Sequence, residues 1–200
     1  MSSSRKPLLI VVSAASGAGK SSLCRELLAR RPDVVYSVSC TTRAPRGGEI
    51  DGQSYCFLST PAFEQRVAAG DFLEYAEVHG NWYGTLRRTV EDAMRQGRSV
   101  IMDIDVQGAK QVRDALVGLP ADHMIRRGFV DVFIHAPSMD ELRRRLEQRG
   151  EDAPDVIEKR LTNAQREEAA APDYRYRIVN DDFGRALEAL LGIIDKERST

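Results

Sequence analysis

Residues 13–22, Ser-Ala-Ala-Ser-Gly-Ala-Gly-Lys-Ser-Ser, decide the fold. They follow the apolar run Leu8–Val12 and precede Ser21–Arg30, where Leu23, Leu27 and Leu28 share one helical face. Strand, glycine turn and helix form the setting in which G-x-x-x-x-G-K-[ST] binds phosphate. Gly17 and Gly19 let backbone N–H groups turn inward where a Cβ would obstruct them. The following helix aims its positive end at the same point. Lys20 can reach the β- and γ-phosphates, and the Ser21 hydroxyl can ligate Mg²⁺. Ala14 stands where the motif has its first glycine, which is compatible with a site if the opening turn needs no positive φ there. The donor phosphates are therefore expected on Ser16, Gly17, Ala18, Gly19, Lys20, Ser21 and Ser22.

Outward from this loop, Val34–Cys40, Ser99–Ile104, Phe129–His135 and Tyr176–Val179 read as strands. Gln107–Leu116, Met139–Gln148, Pro154–Ala170 and Phe183–Lys196 read as helices. This alternation predicts an α/β fold with a mainly parallel sheet covered on both faces. Between residues 34 and 84 the rhythm breaks. Thr41–Ser54 is a polar, glycine-rich loop, and Tyr55–Leu58 and Phe72–Val78 are strands around a short helix near Ala62–Ala69. A small inserted lobe is expected there. Thr85–Arg95 reads as a helix and residues 117–128 as an exposed loop.

The 200 residues suit one domain, and a formal net charge of −1 gives no global attraction to nucleic acid or an anionic membrane. Cys24, Cys40 and Cys56 have no metal-site spacing, which favours reduced thiols and a cytoplasmic location. The five-residue run Leu8–Val12 is shorter than the roughly 7–15 apolar residues of an export signal. No stretch is long enough to span a membrane. Oligomeric state is not readable.

Two further groups carry chemistry. "SVIMDID" places Asp103 and Asp105 at the end of a buried strand, where a carboxylate can hold metal-bound water or cap the next helix. The roles are compatible. In residues 37–55, SVSCTTRAPRGGEIDGQSY, Arg43 and Arg46 sit in a loop whose glycines preclude a stable helix. Guanidinium forks match phosphate oxygens, and two held together repel unless an anion neutralises them. A solvated basic loop is the competing reading. Tyr55 and Tyr83 could add phenolic donors.

These segments, with FLEYAEVHGNWYG, RLEQRGEDAPDVIEKRL and IVNDD, make the chain resemble guanylate kinases over roughly residues 8–197. The TTRxPRxGExxGxxY segment is far more specific than the phosphate loop. The resemblance implies a P-loop NTPase-type core (8–36, 93–137 and 171–198), a mixed-β GMP-binding lobe near 37–92 and a helical lid near 138–170. It implies phosphoryl transfer from ATP to GMP, and to dGMP, with magnesium on Ser21 and, through water, Asp103. Arg43, Arg46, Tyr55 and Tyr83 would hold the GMP phosphate. Ser39, Glu74 and Thr85 would read guanine, and Asp105 belongs to the same pocket. Lys20, Arg149 and Arg160 would be catalytic, whereas Arg143, Arg144 and Arg145 read as a solvated helix face. Asn180 lies either near the adenine or in a strand-end turn. A related interaction module could dispense with the ATP machinery, but Gly19, Lys20, Ser21, Asp103, Arg149 and Arg160 are all present. A GTP switch lacks its N-K-x-D segment.

Overall fold

β1 (Leu9–Ala14) is apolar on both faces and takes the central place. Leu8, Ile10 and Val12 point to one side and Leu9 and Val11 to the other, all fully buried. A computed structural model describes residues 6–150 and 153–199, without the side chain of Arg149. In it β2 (Val34–Tyr36), β7 (Ser99–Asp103), β8 (Phe129–His135) and β9 (Tyr176–Val179) join β1 in the order β2-β7-β1-β8-β9. Every neighbouring pair is parallel. One face is covered by α1 (Lys20–Arg30) and α8 (Phe183–Ser199) through Leu23, Leu27, Leu187, Leu190 and Ile194. The other is covered by α3 (Arg87–Arg95), α4 (Val106–Val117) and α5 (Met124–Arg127) through Val90, Met94, Val112, Leu116 and Ile125. Truncating a buried leucine such as Leu9 to alanine costs about 2–5 kcal/mol, a large share of a typical domain's ~5–15 kcal/mol.

The second sheet is mixed. β3 (Cys40–Thr41), β4 (Cys56–Phe57), β5 (Phe72–Val78) and β6 (Asn81–Leu86) lie in the order β4-β3-β6-β5, with only β3 and β4 parallel. His79 (φ 50°) and Gly80 (φ 76°) form the two-residue turn of the β5–β6 hairpin, a geometry that matches strand twist. α2 (Thr60–Ala68) starts where the Ser59 hydroxyl accepts from the Ala62 N–H at 3.3 Å. Its Phe63 stacks on Phe72 with ring centroids 4.5 Å apart. This sheet is latched to the main body by Gln111 of α4, which accepts from the Tyr75 N–H and donates to the Tyr75 carbonyl, each at 3.0 Å.

α6 (Met139–Arg149) and α7 (Pro154–Ala169) pack as a pair. Leu142, Leu146, Ile157, Leu161 and Ala164 form their small core, which closes on Ala15 of the phosphate loop.

Three expectations from the sequence need correction. Val34–Cys40 is not one strand: β2 ends at Tyr36, and Cys40 opens β3 in the other sheet. Thr85 lies on β6, and the following helix begins only at Arg87, because residues 81–86 pair with β5. Residues 117–128 are not simply an exposed loop, since α5 buries Ile125 under α3 and α4.

Candidate active site

The loop after β1 has the geometry its glycines allow. Gly17 and Gly19 take φ values of 97° and 96°, where an L side chain is strained. A Cβ on Gly17 would also press on Leu142 and Leu146, and one on Gly19 would collide with the Asn180 side-chain amide. Ala14 is the last residue of β1, and among described non-glycine residues only His79 has positive φ. The alanine therefore costs the loop nothing. No side chain caps the N-terminus of α1, so its first N–H groups are left to the cavity.

That cavity, about 290 Å³, is lined by Ser16, Gly17, Gly19, Lys20, Ser21 and Ser22 together with Asp105 and Glu167. Lys20 Nζ forms an ion pair with Asp103 and donates to the Ile104 carbonyl at 3.2 Å. Ser21 Oγ donates to Asp103 Oδ2 at 2.9 Å. The serine hydroxyl and this carboxylate are hard oxygen donors side by side at the loop, which fits a magnesium ion that draws its remaining ligands from phosphate and water. Among the described residues no group of three or more His, Cys, Asp or Glu makes a dedicated metal cage. Asp105 caps α4, accepting from the Gly108 N–H at 2.8 Å.

A second cavity, about 300 Å³, opens between the two sheets. Ser37, Ser39, Tyr55, Glu74, Tyr83, Asp103 and Asp105 line it. Glu74 is only 8% exposed, and burial pushes its carboxyl above the ordinary value, with the Asp105 charge adding to the effect. It is an inward-facing residue, unlike an ordinary strand glutamate. Thr85, its partner across β5 and β6, is buried beside it. At the other end, Arg43 lies over the Tyr55 ring at 5.4 Å, and Tyr55 meets Tyr83 edge-on at 6.0 Å.

The anion that the paired arginines call for is supplied in this structure by a carboxylate of the same loop. Glu49 grips the Arg43 guanidinium through both oxygens, at 3.0 and 2.8 Å, and takes the Arg46 N–H at 2.7 Å. Arg46 itself is exposed. Arg160 lies half-buried on α7 and lines neither cavity. The Arg149 side chain lies outside the described residues. Arg143 and Arg144 are exposed and paired with Glu158 and Glu141, as a solvated face should be. Arg145 departs from that reading, because it also donates to the Asn180 carbonyl at 2.9 Å. Asn180 is buried and its amide donates to the Ala18 carbonyl at 2.7 Å, so it braces the phosphate loop from behind.

Sequence reasoning missed Glu49, Gln111, Glu167 and Ser37 as parts of the site. The Ser37 hydroxyl is buried at the cavity wall with no hydrogen-bond partner among the described residues. Only Glu49 left a legible signal, an acid within reach of the arginines in the same loop.

Comparison with known proteins agrees with this geometry. A family profile described as guanylate kinase matches residues 5–197. The guanylate kinase of Symbiobacterium thermophilum is 46% identical over 194 residues, 97% of this chain and 87% of that protein. That of Alkalilimnicola ehrlichii is 48% identical over 190 residues, 95% of this chain and 89% of that protein. A crystal structure of guanylate kinase from Anaplasma phagocytophilum superposes with a TM-score of 0.69 at 33% identity, covering 99% of this chain and 90% of that one. A phosphate loop with the required glycine geometry, a guarded carboxylate facing it across a shared aspartate, and likeness along almost the whole chain place this protein in the guanylate kinase family.

Proposed function

We propose that the chain catalyses ATP + GMP ⇌ ADP + GDP, with dGMP as a second acceptor and magnesium at the donor phosphates, and that it works in purine nucleotide metabolism in the cytoplasm. The observation that carries this reading is Asp105, which lines both cavities and so sets a triphosphate-sized anion cradle against a guanine-sized pocket.

In this reading the N–H groups of Gly17–Ser22 cradle the donor, the Ser16 N–H being taken by Glu167, and Lys20 leaves Asp103 to neutralise the β- and γ-oxygens. Ser21 and, through water, Asp103 would hold the magnesium ion, which supplies charge neutralisation at the donor oxygens when bound. Arg43, Arg46, Tyr55 and Tyr83 take the GMP phosphate. Glu74 accepts from guanine N1–H and the 2-amino group, with Ser39, Thr85 and Asp105 completing the base pocket. Adenine presents a lone pair at N1, which a carboxylate repels, and sites of this kind can discriminate by about 10⁴–10⁵. The acceptor oxygen is already ionised near neutral pH, since a phosphomonoester's second pKa is about 6. No general base is needed. Positioning and charge neutralisation carry the chemistry, and Arg149 and Arg160 are the remaining cations. Residues 138–170 serve as the lid that brings them in, and residues 37–92 as the GMP-binding lobe.

A coupled ADP-release assay across GMP, dGMP, AMP and UMP tests the reaction. Rapid turnover with GMP and dGMP alone is expected, and AMP phosphorylated as fast as GMP would overturn the base assignment. Arg160→Ala is expected to lose on the order of 10³-fold in kcat, about 4 kcal/mol. Unchanged turnover would remove Arg160 from the mechanism.

A further inference from the structure

Glu167 takes no part in the chemistry described so far, yet its carboxylate sits at the phosphate loop. Glu167 Oε2 accepts from the Ser16 N–H at 2.9 Å, across 151 positions of sequence. It is half-buried, and burial pushes its carboxyl above the ordinary range. A carboxylate beside a triphosphate site costs repulsion with the donor, so its presence there calls for a compensating task. The neighbouring Glu168 bonds His135 Nδ1 at 2.6 Å, at the end of β8. Two adjacent carboxylates thus fasten the last turns of α7 to the core, one at the loop after β1 and one at the end of β8.

Seven residues before Glu167 on the same helix stands Arg160. Seven steps of about 100° return almost to the same face, and the rise along the axis is about 10.5 Å. Burial follows that stripe: Ile157, Leu161 and Ala164 are buried and Arg160 is half-buried. We propose that Glu167 is a positioning residue, which anchors the end of α7 to the Ser16 N–H and thereby aims Arg160 at the transferring phosphoryl group. The proposal rests on the reading of Arg160 as a cation for the reaction. With the end of the helix fixed, a tilt of about 10° would carry the Arg160 backbone by about 2 Å over that lever arm. A misplacement of about 1 Å can cost about 10²-fold in rate. The apolar core of the α6–α7 pair holds the helix on the loop, and the Glu167 bond fixes the point about which it turns, and so where Arg160 arrives on closure.

The test is a double-mutant cycle read in single-turnover kinetics with ATP and GMP. Glu167→Ala is expected to lower the rate of transfer by about 10–100-fold with the KM for GMP unchanged. Glu167→Gln keeps an oxygen that accepts from Ser16 N–H and should restore most of the rate. In an Arg160→Ala background, Glu167→Ala should add no further loss, because the residue acts through that guanidinium. Additive losses would overturn the proposal. So would a wild-type rate in Glu167→Ala, or a Gln variant as impaired as the Ala variant. If Glu167→Ala does not fold, Glu167→Asp, whose carboxylate is one methylene short of the loop, runs the same cycle under the same criteria. A wild-type rate in Arg160→Ala alone would instead remove the assignment beneath the proposal, and the proposal with it.

Discussion

Glu74, proposed above to read the guanine, shows what a single residue would give up in stability for that task. Its carboxyl is buried, so the ionised form is disfavoured and its pKa stands above the ordinary value. An acid with a raised folded pKa adds stability below the unfolded pKa, and that contribution is lost as pH rises through the folded one. At neutral pH the carboxylate therefore opposes folding. Glu74→Gln is expected to raise Tm by a few degrees at pH 7 while lowering kcat/KM for GMP by about 10²–10³-fold. A variant that loses stability along with activity would contradict this balance. The same pKa predicts how binding responds to acid. Guanosine carries the base without a titrating phosphate, so its inhibition constant isolates the carboxylate. Affinity should weaken in the wild type as pH falls through the raised carboxyl pKa, and Glu74→Gln should bind weakly without that dependence. Equal guanosine affinity in the wild type and Glu74→Gln would take Glu74 out of base recognition. Around it, legibility was uneven. Arg43, Tyr55 and Tyr83 were read from a motif, but Glu49 as their neutralising partner needed the loop's folded path, because its bidentate grip depends on how residues 43–49 turn.

At the scale of elements, β1, the glycine turn and α1 were legible because each speaks through local chemistry: an unbroken apolar run, two residues able to take positive φ, and a leucine face. Helices α4, α6, α7 and α8 were equally clear from their apolar spacing, whereas the four residues of α5 are too few to show one. What failed were elements made by pairing rather than by pattern. Val34–Cys40 reads as one β-branched run, yet Ser37 donates its N–H to Ile101 of β7 while Cys56 donates to the Ser39 carbonyl in the other sheet. The chain changes partners within three residues, and no local propensity encodes that. Likewise Asn81–Leu86 is a strand because it meets β5 across the His79–Gly80 turn. The phosphate loop also shows an element braced from outside. Asn180, at the end of β9, sits where a Cβ on Gly19 would have to go while holding the Ala18 carbonyl. Gly19→Ala should therefore abolish ATP binding through both the left-handed φ and the lost brace. GMP should bind normally, since its cavity does not contain Gly19. Calorimetry with each nucleotide separates the two, and equal loss of both would mean global unfolding rather than a local defect.

At the scale of the whole molecule, the proposed reaction sets two anion sites against one another, and that calls for motion. The donor cavity is lined by the loop after β1 and the GMP cavity by both sheets, with Asp105 between them. Arg160 lines neither, so the proposed mechanism requires it to move toward the donor. The second sheet is held to the core chiefly through β5 against α4, with Gln111 gripping the backbone of Tyr75. The α6–α7 pair is held through Ala15, the Glu167 and Glu168 bonds and the bond from Arg145 to the Asn180 carbonyl. These ties are few beside the contacts within the main sheet, so rotation of either piece about them would leave that sheet unstrained. Each ligand can shift the equilibrium only by its own differential contacts with the open and closed forms. In the proposed mechanism ATP would engage the loop and the α6–α7 arginines and GMP the second sheet, so full closure would require both. Small-angle scattering should then show a modest fall in radius of gyration with either nucleotide alone. The largest fall is expected with adenosine and guanosine joined through five phosphates, which fills both sites at once. Without GMP the donor remains exposed to water on an incomplete set of cations, so ATP hydrolysis should run orders of magnitude slower than transfer to GMP. A radius unchanged by the linked ligand would mean that these sites meet without closure, and Arg160 would then have no route to the phosphate.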